Sequence, residues 1–223
     1  MTATVAFDVY GTLIDTHAVV ARLSGWIGDR APGFSRVWRD KQLEYSFRRG
    51  LMRRYEDFSV CTRQALEYAC DLLDLPLSEE RKAELVELYR RLPPFDDVGE
   101  GLAALGNRGC RMFAFSNGSR DAVESLLATA GIRDRFDDVV SVEAVRSFKP
   151  DPAVYEHFLQ QSRTEPGDAW LVSGNPFDVI GAISAGMRAA WVRRSPQAVF
   201  DPWGIEPTVT VTGLAGLGEA IAP

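Results

Sequence analysis

Histidine is nearly absent from this chain of 223 residues: only His17 and His157 occur, too few and too scattered for a His-rich metal site. Cysteine is scarce as well. Cys61, Cys70 and Cys110 are odd in number, lack C-x-x-C spacing and sit in apolar, periodic contexts, so buried thiols are expected rather than disulfides or a metal knot. No window approaches the roughly 18 uninterrupted apolar residues of a membrane span. The N-terminus also lacks a basic stretch followed by an apolar run and a cleavage site, so the expectation is a cytoplasmic protein with no membrane partner. A surplus of positive charge is missing too. The net charge of -6 argues against general nucleic-acid binding, which depends on phosphate neutralisation by Lys and Arg. Residues 36 to 54 are a local exception, with seven basic residues (Arg36, Arg39, Lys41, Arg48, Arg49, Arg53, Arg54) against Asp40 and Glu44. For most of these a solvated helix face is the simpler reading.

Hydrophobic content of 46% with 25% charge matches an ordinary globular protein able to bury a real core. Residues 4 to 9, 110 to 116, 138 to 142, 168 to 173 and 189 to 193 read as strands, with a last short one near "TVTV". Helical patterns lie between them. "SRDAVESLLATAG" opens on Ser119 as an N-cap, while "DPAVYEHFLQQSR" and "NPFDVIGAISAG" open with the cap-then-proline arrangement. Strands alternating with helices predict an α/β fold with a doubly wound parallel sheet. Residues 16 to 92 break the rhythm with three helix-like runs and no convincing strand, and they end at Pro93 and Pro94. The expected organisation is therefore a catalytic core from 1 to 15 and 93 to 223, with a helical insertion at 16 to 92 after the first strand. "GEGLAA" at 99 to 104 matches G-x-G-x-x-A but follows "PPFDDV" rather than a strand, which argues against dinucleotide binding.

In open α/β sheets, ligands bind beyond the carboxyl ends of the strands near a topological switch point. Polar clusters recur there: Asp8 after strand one, Ser116 and Asn117 after strand two, Lys149 in the loop "SFKPDPAVY", and Ser173, Asn175 and Asp178 after strand four. Each alone is an ordinary cap or turn former. Four on one rim suggest a site for a small molecule.

The motifs "DVYGT", "FSNGS", "SFKPDPAVY" and "SGNPFD", in that order, resemble those of the haloacid dehalogenase superfamily, and "VWRDKQLEYSFRR" is similar to the insert of the L-2-haloacid dehalogenases. The resemblance implies a Rossmann-like core with a helical cap, no cofactor, and Asp8 as a nucleophile forming an ester with substrate carbon. It implies hydrolysis of short L-2-haloalkanoic acids to D-2-hydroxyalkanoic acids, and it is compatible with a homodimer. A phosphatase of this fold needs Mg²⁺ and a second acid two residues after the nucleophile to protonate an alkoxide. Tyr10 stands there, and Asn175 stands where another acid would help bind metal. Halide is a weak base that leaves without a proton, so Asp8 can work alone and no metal is expected.

By the same resemblance, Arg39 and Asn117 receive the halide, and Ser116 and Lys149 help place Asp8 or the substrate carboxylate. Asp178 is the candidate base for ester hydrolysis, with Ser173 and Asn175 positioning it or the water, Thr12 bonding near Asp8, and Tyr155 bonding one of the carboxylates. Val9, Tyr10, Leu43, Phe47, Phe58 and Phe177 are the candidates to border the substrate and exclude water. Two positions depart from the family pattern. Asp40 beside Arg39 is expected either to pair with it or to point away, and Gly174 after Ser173 to open space for a different or larger substrate. Same-fold alternatives are a strained imino acid such as azetidine-2-carboxylate, a phosphomonoester, or no catalysis at all.

Overall fold

The computed structural model describes residues 3–221. Six strands, β1 (Thr4–Phe7), β2 (Arg111–Ser116), β3 (Asp138–Ser141), β4 (Ala169–Ser173), β5 (Arg188–Val192) and β6 (Val209–Val211), form one sheet. All pairs are parallel, in the order β3-β2-β1-β4-β5-β6. Every residue of β1 and β4 is buried. Covering both faces of a parallel sheet requires such near-continuous apolar strands. Side chains alternate across it: Phe7, Ala114 and Val172 enter one core, and Ala6, Phe115 and Leu171 the other. The chain order departs in both directions from β1, to β2 on one side and β4 on the other, so the switch point lies at the end of β1.

After β1 the chain first forms four helices, α1 (Ala18–Ile27), α2 (Ala31–Leu51), α3 (Phe58–Leu72) and α4 (Glu79–Leu88). They are followed by α5 (Val98–Asn107), α6 (Arg120–Thr129), α7 (Pro152–Ser162), α8 (Pro176–Ser184) and the short α9 (Leu217–Ala220). Helices α5, α6 and α9 supply Leu102, Leu126 and Leu217 to the first core, whereas α7 and α8 supply Phe158 and Val179 to the second. The first core continues into the four-helix segment through Phe34, Trp38 and Leu66, and the Trp38 indole donates to the Thr62 carbonyl at 2.9 Å, joining α2 to α3. The chain leaves and re-enters the sheet region along paired connectors. Asp15 N donates to Pro93 O at 2.9 Å and Phe95 N to Leu13 O at 3.0 Å.

The predicted strands fall close to the observed ones, and the three predicted runs lie within or overlap α2, α3 and α4. Helices α1 and α5 were not resolved by the sequence pattern. Neither begins with a side-chain cap bond, and α5 carries Gly99, Gly101 and Gly106, which weaken its helical signature. Ser119 occupies its predicted cap position without a side-chain cap bond, and the amide of the first helical residue, Arg120, donates to Glu143 Oε1 at 3.2 Å. Asp151 caps α7 as expected, accepting from Ala153 N at 3.0 Å. Among the described residues, no helix is long and apolar enough to cross a membrane. Cys61 and Cys70 are buried free thiols, whereas Cys110 is only half-buried.

Candidate active site

Asp8 follows directly on β1, and its amide still pairs with Val172 O of β4 at 3.0 Å. The chain then leaves the sheet. Val9 O accepts from the amides of Thr12 (3.3 Å), Leu13 and Ile14 (both 2.9 Å), a tight turn that folds Thr12 back over the carboxylate. Asp8 Oδ2 accepts from Thr12 Oγ1 at 2.7 Å, Asn175 Nδ2 at 2.7 Å and Ser173 Oγ at 3.3 Å. Among the described residues its Oδ1 meets only Lys149 Nζ, at 3.3 Å. One oxygen is therefore crowded with donors, and the other has lone pairs to spare.

Thr12 Oγ1 in turn accepts from Gly174 N at 2.8 Å, which locks the hydroxyl proton toward Asp8. A Cβ at position 174 would stand 2.5 Å from Gly11 O. Glycine is required because two backbone loops touch there, so the space that the sequence suggested for a larger substrate is filled. Asn175 precedes Pro176 at the start of α8 without capping it, since its amide is spent on Asp8 Oδ2 and Tyr10 O.

Lys149 is 1% exposed, a setting in which a lysine needs partners. Its ammonium donates to Asp178 Oδ2 at 2.8 Å and Phe115 O at 2.9 Å besides Asp8, and lies 4.1 Å from the Phe115 ring centroid. Asp178, in the first turn of α8, also accepts from Tyr155 Oη at 2.9 Å. Tyr155 gets this close only because residue 181 is glycine, where any side chain would collide with the phenol. Burial raises the Asp178 carboxyl above its ordinary 3.8, against the lowering pull of Lys149. The Tyr155 phenol is raised well above its usual value, first by burial and then by Asp178.

Across from this floor, α2 and α3 carry Arg39, Leu43 and Phe58. These three enclose a cavity of about 20 Å³ with Asp8, Tyr10, Ser116, Asn117, Lys149, Asn175 and Phe177. Arg39 is held by two long bonds, Nη2 to Tyr10 O at 3.3 Å and Nη1 to Gln42 Oε1 at 3.4 Å. Asn117 Oδ1 accepts from Lys149 N at 2.9 Å, which leaves Nδ2 as the amide group available to a ligand. Burial pushes the Tyr10 phenol up to about 12. Outside lies a recess of about 500 Å³ whose lining includes His17, Arg36, Arg39, Asp40 and Asn175.

Most residues expected at the site converge there, with four differences. Ser173 and Asn175 touch Asp8 rather than Asp178, because β4 ends beside β1 while Asp178 lies a helical turn deeper. Ser116 makes no bond to Asp8; its hydroxyl accepts from Gly118 N at 3.1 Å and borders the cavity. The Val9 side chain belongs to the core. Phe47 does not line the cavity but packs edge-on against Phe177, with centroids 5.1 Å apart. Asp40 is exposed and forms no ion pair with Arg39 among the described residues.

Two contributors lacked an obvious signal. Gln42, fully buried beside Arg39, could have been noticed from its i+3 spacing on the same helix face. Arg194 donates to Thr12 O at 2.6 Å and to both Asp97 oxygens at 2.7 and 2.8 Å, tying the loop after Asp8 to the start of α5. No sequence pattern marks it.

The donor set fits a divalent cation poorly. Asp8 and Asp178 already share the Lys149 ammonium, and no cluster of three or more His, Cys, Asp or Glu suited to a metal occurs among the described residues. A lone carboxylate at the switch point of a doubly wound sheet, roofed by helices inserted after β1, defines a class of α/β hydrolases. Residues 2–186 match the family model of haloacid dehalogenase-like hydrolases, and the chain belongs to that family. It is 38% identical over 215 residues to the (S)-2-haloacid dehalogenase of Pseudomonas sp. (strain YL), covering 96% of this chain and 92% of that protein. It is 36% identical to haloacetate dehalogenase H-2 of Moraxella sp. (strain B), covering 98% and 97%. The L-2-haloacid dehalogenase of Xanthobacter autotrophicus, solved with chloropropionic acid covalently bound, superposes with a TM-score of 0.92 at 34% identity, covering 99% and 98%.

Proposed function

We propose that this protein hydrolyses the carbon-halogen bond of short L-2-haloalkanoic acids, with Asp8 as nucleophile and residues 16 to 92 acting as a cap over the core. The unequal loading of the two Asp8 oxygens carries this reading. Hydrogen bonds that stabilise a carboxylate oxygen also blunt it, so the sparsely bonded Oδ1 is the one that attacks. It displaces halide from the substrate's Cα with inversion; the halide leaves with the bonding pair, and Asp8 becomes an ester.

Halide needs no proton, which suits a cavity where position 10 is a tyrosine in the wall. Arg39 and the free Nδ2 of Asn117 receive the halide, and the half-apolar wall of Leu43, Phe58 and Phe177 keeps water from the first step. Arg39 borders both the outer recess and the inner cavity, which supports a role in drawing in the anionic substrate.

In the second step water attacks Cγ of Asp8. Negative charge then develops on Oδ2, where Thr12, Asn175 and Ser173 already aim their donors, as an oxyanion hole requires. Asp178, made more basic by burial, takes the water's proton, with Tyr155 and Lys149 fixing its two oxygens. Collapse breaks the bond between Cγ and Oδ1, the departing alkoxide takes the proton held by Asp178, and the D-2-hydroxy acid leaves; the other proton of the attacking water is released as the Asp8 carboxylate re-forms. Overall, haloacid and water give hydroxy acid, halide and a proton, and one Asp8 oxygen is replaced by that of water. The names of the two curated relatives, a 2-haloacid and a haloacetate dehalogenase, support a small 2-haloacid substrate.

The test is halide release from L- and D-2-chloropropionate with and without EDTA, beside p-nitrophenyl phosphate with Mg²⁺. Release from the L isomer alone, insensitive to EDTA, is expected. Mg²⁺-dependent phosphate hydrolysis without halide release would overturn the reading.

A further inference from the structure

A second, larger cleft of about 790 Å³ adjoins the inner cavity, between the C-terminal half of α2, the loop at 148 to 152 and the segment at 201 to 203. The two spaces share Phe177 and Lys149 in their walls. Phe177 is only half-buried, and its other side is backed by Phe47, which lines the cleft alone. The partition between the spaces is thus an edge-to-face pair of phenyl rings beside the buried, fully bonded Lys149 ammonium.

The cleft is mainly hydrocarbon, with Leu51, Phe148, Pro150 and Trp203 among its lining. Leu51 is 87% exposed and Trp203 72% exposed, large apolar groups left to solvent at the same mouth. Its charged members are Arg53, Lys149, Asp151 and Asp201; of these Asp151 is already engaged by Ser147 Oγ at 2.6 Å and by Ala153 N, and Lys149 by Asp8 and Asp178. The inner cavity of about 20 Å³, by contrast, is little more than one water in volume.

We infer that the Phe47–Phe177 pair is a movable partition, and that the cleft behind it is a subsite for the alkyl tail of 2-haloacids longer than 2-halopropionate. The inference rests on the dehalogenase reading. The departing halide stays at the Arg39 and Asn117 side of the inner cavity. The tail runs the opposite way, past Phe177 toward Trp203, where burying hydrocarbon against hydrocarbon is favourable.

The experiment compares kcat/KM for L-2-bromohexanoate and L-2-bromopropionate in the wild-type protein, Phe47→Ala and Trp203→Ser. Phe47→Ala removes the backing of the partition and should raise the hexanoate-to-propionate ratio by about tenfold, the scale of a hydrophobic pocket change. Trp203→Ser, at an exposed position that leaves the fold intact, should lower the ratio by a similar factor. Ratios unmoved in both variants, with propionate still turned over by the wild type, would overturn the subsite alone. So would a change of mass in solution on Trp203→Ser without any change in the ratio, which would make the cleft a contact between copies of this chain. Failure of the wild type on both substrates would overturn the dehalogenase reading and the subsite with it.

Discussion

At the floor of the inner cavity, Asp8 is held by four side chains from three separate stretches of chain, and each of those groups is fixed by a further bond, as Thr12 is by Gly174 N. Across the cavity, α2 and α3 present hydrocarbon and a single guanidinium whose two bonds are 3.3 and 3.4 Å long. The floor is preorganised: its charges are paired and buried, and their geometry is set before any substrate arrives. The helical side instead meets the sheet through ring contacts such as Tyr55 on Phe148 at 5.0 Å and Phe47 on Phe177 at 5.1 Å. Ring contacts tolerate sliding, whereas hydrogen bonds do not. Chemistry that depends on fixed donors belongs on the sheet, and choice among substrates belongs where contacts can be exchanged without leaving a buried charge alone.

The contrast breaks most completely at the nucleophile. Asp8→Asn should reduce halide release by roughly 10⁵ to 10⁶-fold, the scale of losing an essential nucleophile, with the circular dichroism spectrum retained. Next is the shared cation. Lys149→Met leaves Asp8 and Asp178 buried without their counter-charge and should cost about 3–5 kcal/mol in denaturant unfolding at neutral pH. That deficit should shrink as pH falls, because the buried Asp178 carboxyl, already raised by burial, loses its uncompensated charge on protonation; a deficit independent of pH would mean lost packing instead.

Arg39→Lys sharpens the comparison from the other side. Replacing a planar fork by a point charge should lower kcat/KM by about 10²-fold while leaving the melting temperature nearly unchanged, since its bonds are long and its partners few. A melting temperature that falls with activity would place Arg39 in the rigid part of the site. The smallest effect is at Tyr155. Its hydrogen bond favours the ionised form of Asp178, whose carboxyl burial otherwise raises. Asp178 must be ionised to accept a proton, so activity is lost as pH falls through its folded value, above 3.8. Tyr155→Phe removes the favourable bond and should move that acid limb upward by about one pH unit; a downward shift would contradict the assignment of Asp178 as base.

The same division governs what can be read from the sequence. The sheet is legible because buried strands such as "TVAF" and "RMFAFS" are short apolar runs flanked by turn formers, and because Asp8, Asn117, Ser173 and Asn175 end strands. Which donor meets which acceptor is another matter. Lys149 lies 141 residues from Asp8 and 29 from Asp178, and nothing local separates it from a surface lysine before a proline. Asn175 looks like a helix cap and forgoes that bond for Asp8, a choice made by the proximity of β1 and β4 rather than by local propensity. Gly174 resembles a vacancy in sequence but is a point of backbone contact. On the helical side, residue types were readable and their partners were not, since Leu43 facing the cavity and Phe47 facing its neighbour differ only in register along α2.

The central claim is that Asp8 itself forms and loses the ester. The direct measurement is a single turnover of excess protein with L-2-chloropropionate in water enriched in oxygen-18, followed by mass spectrometry of the peptide containing Asp8 and of the hydroxy acid. The account predicts heavy oxygen in the Asp8 carboxylate and light oxygen in the product. Heavy oxygen in the product with an unlabelled Asp8 would mean that water attacks the substrate directly, and would contradict it.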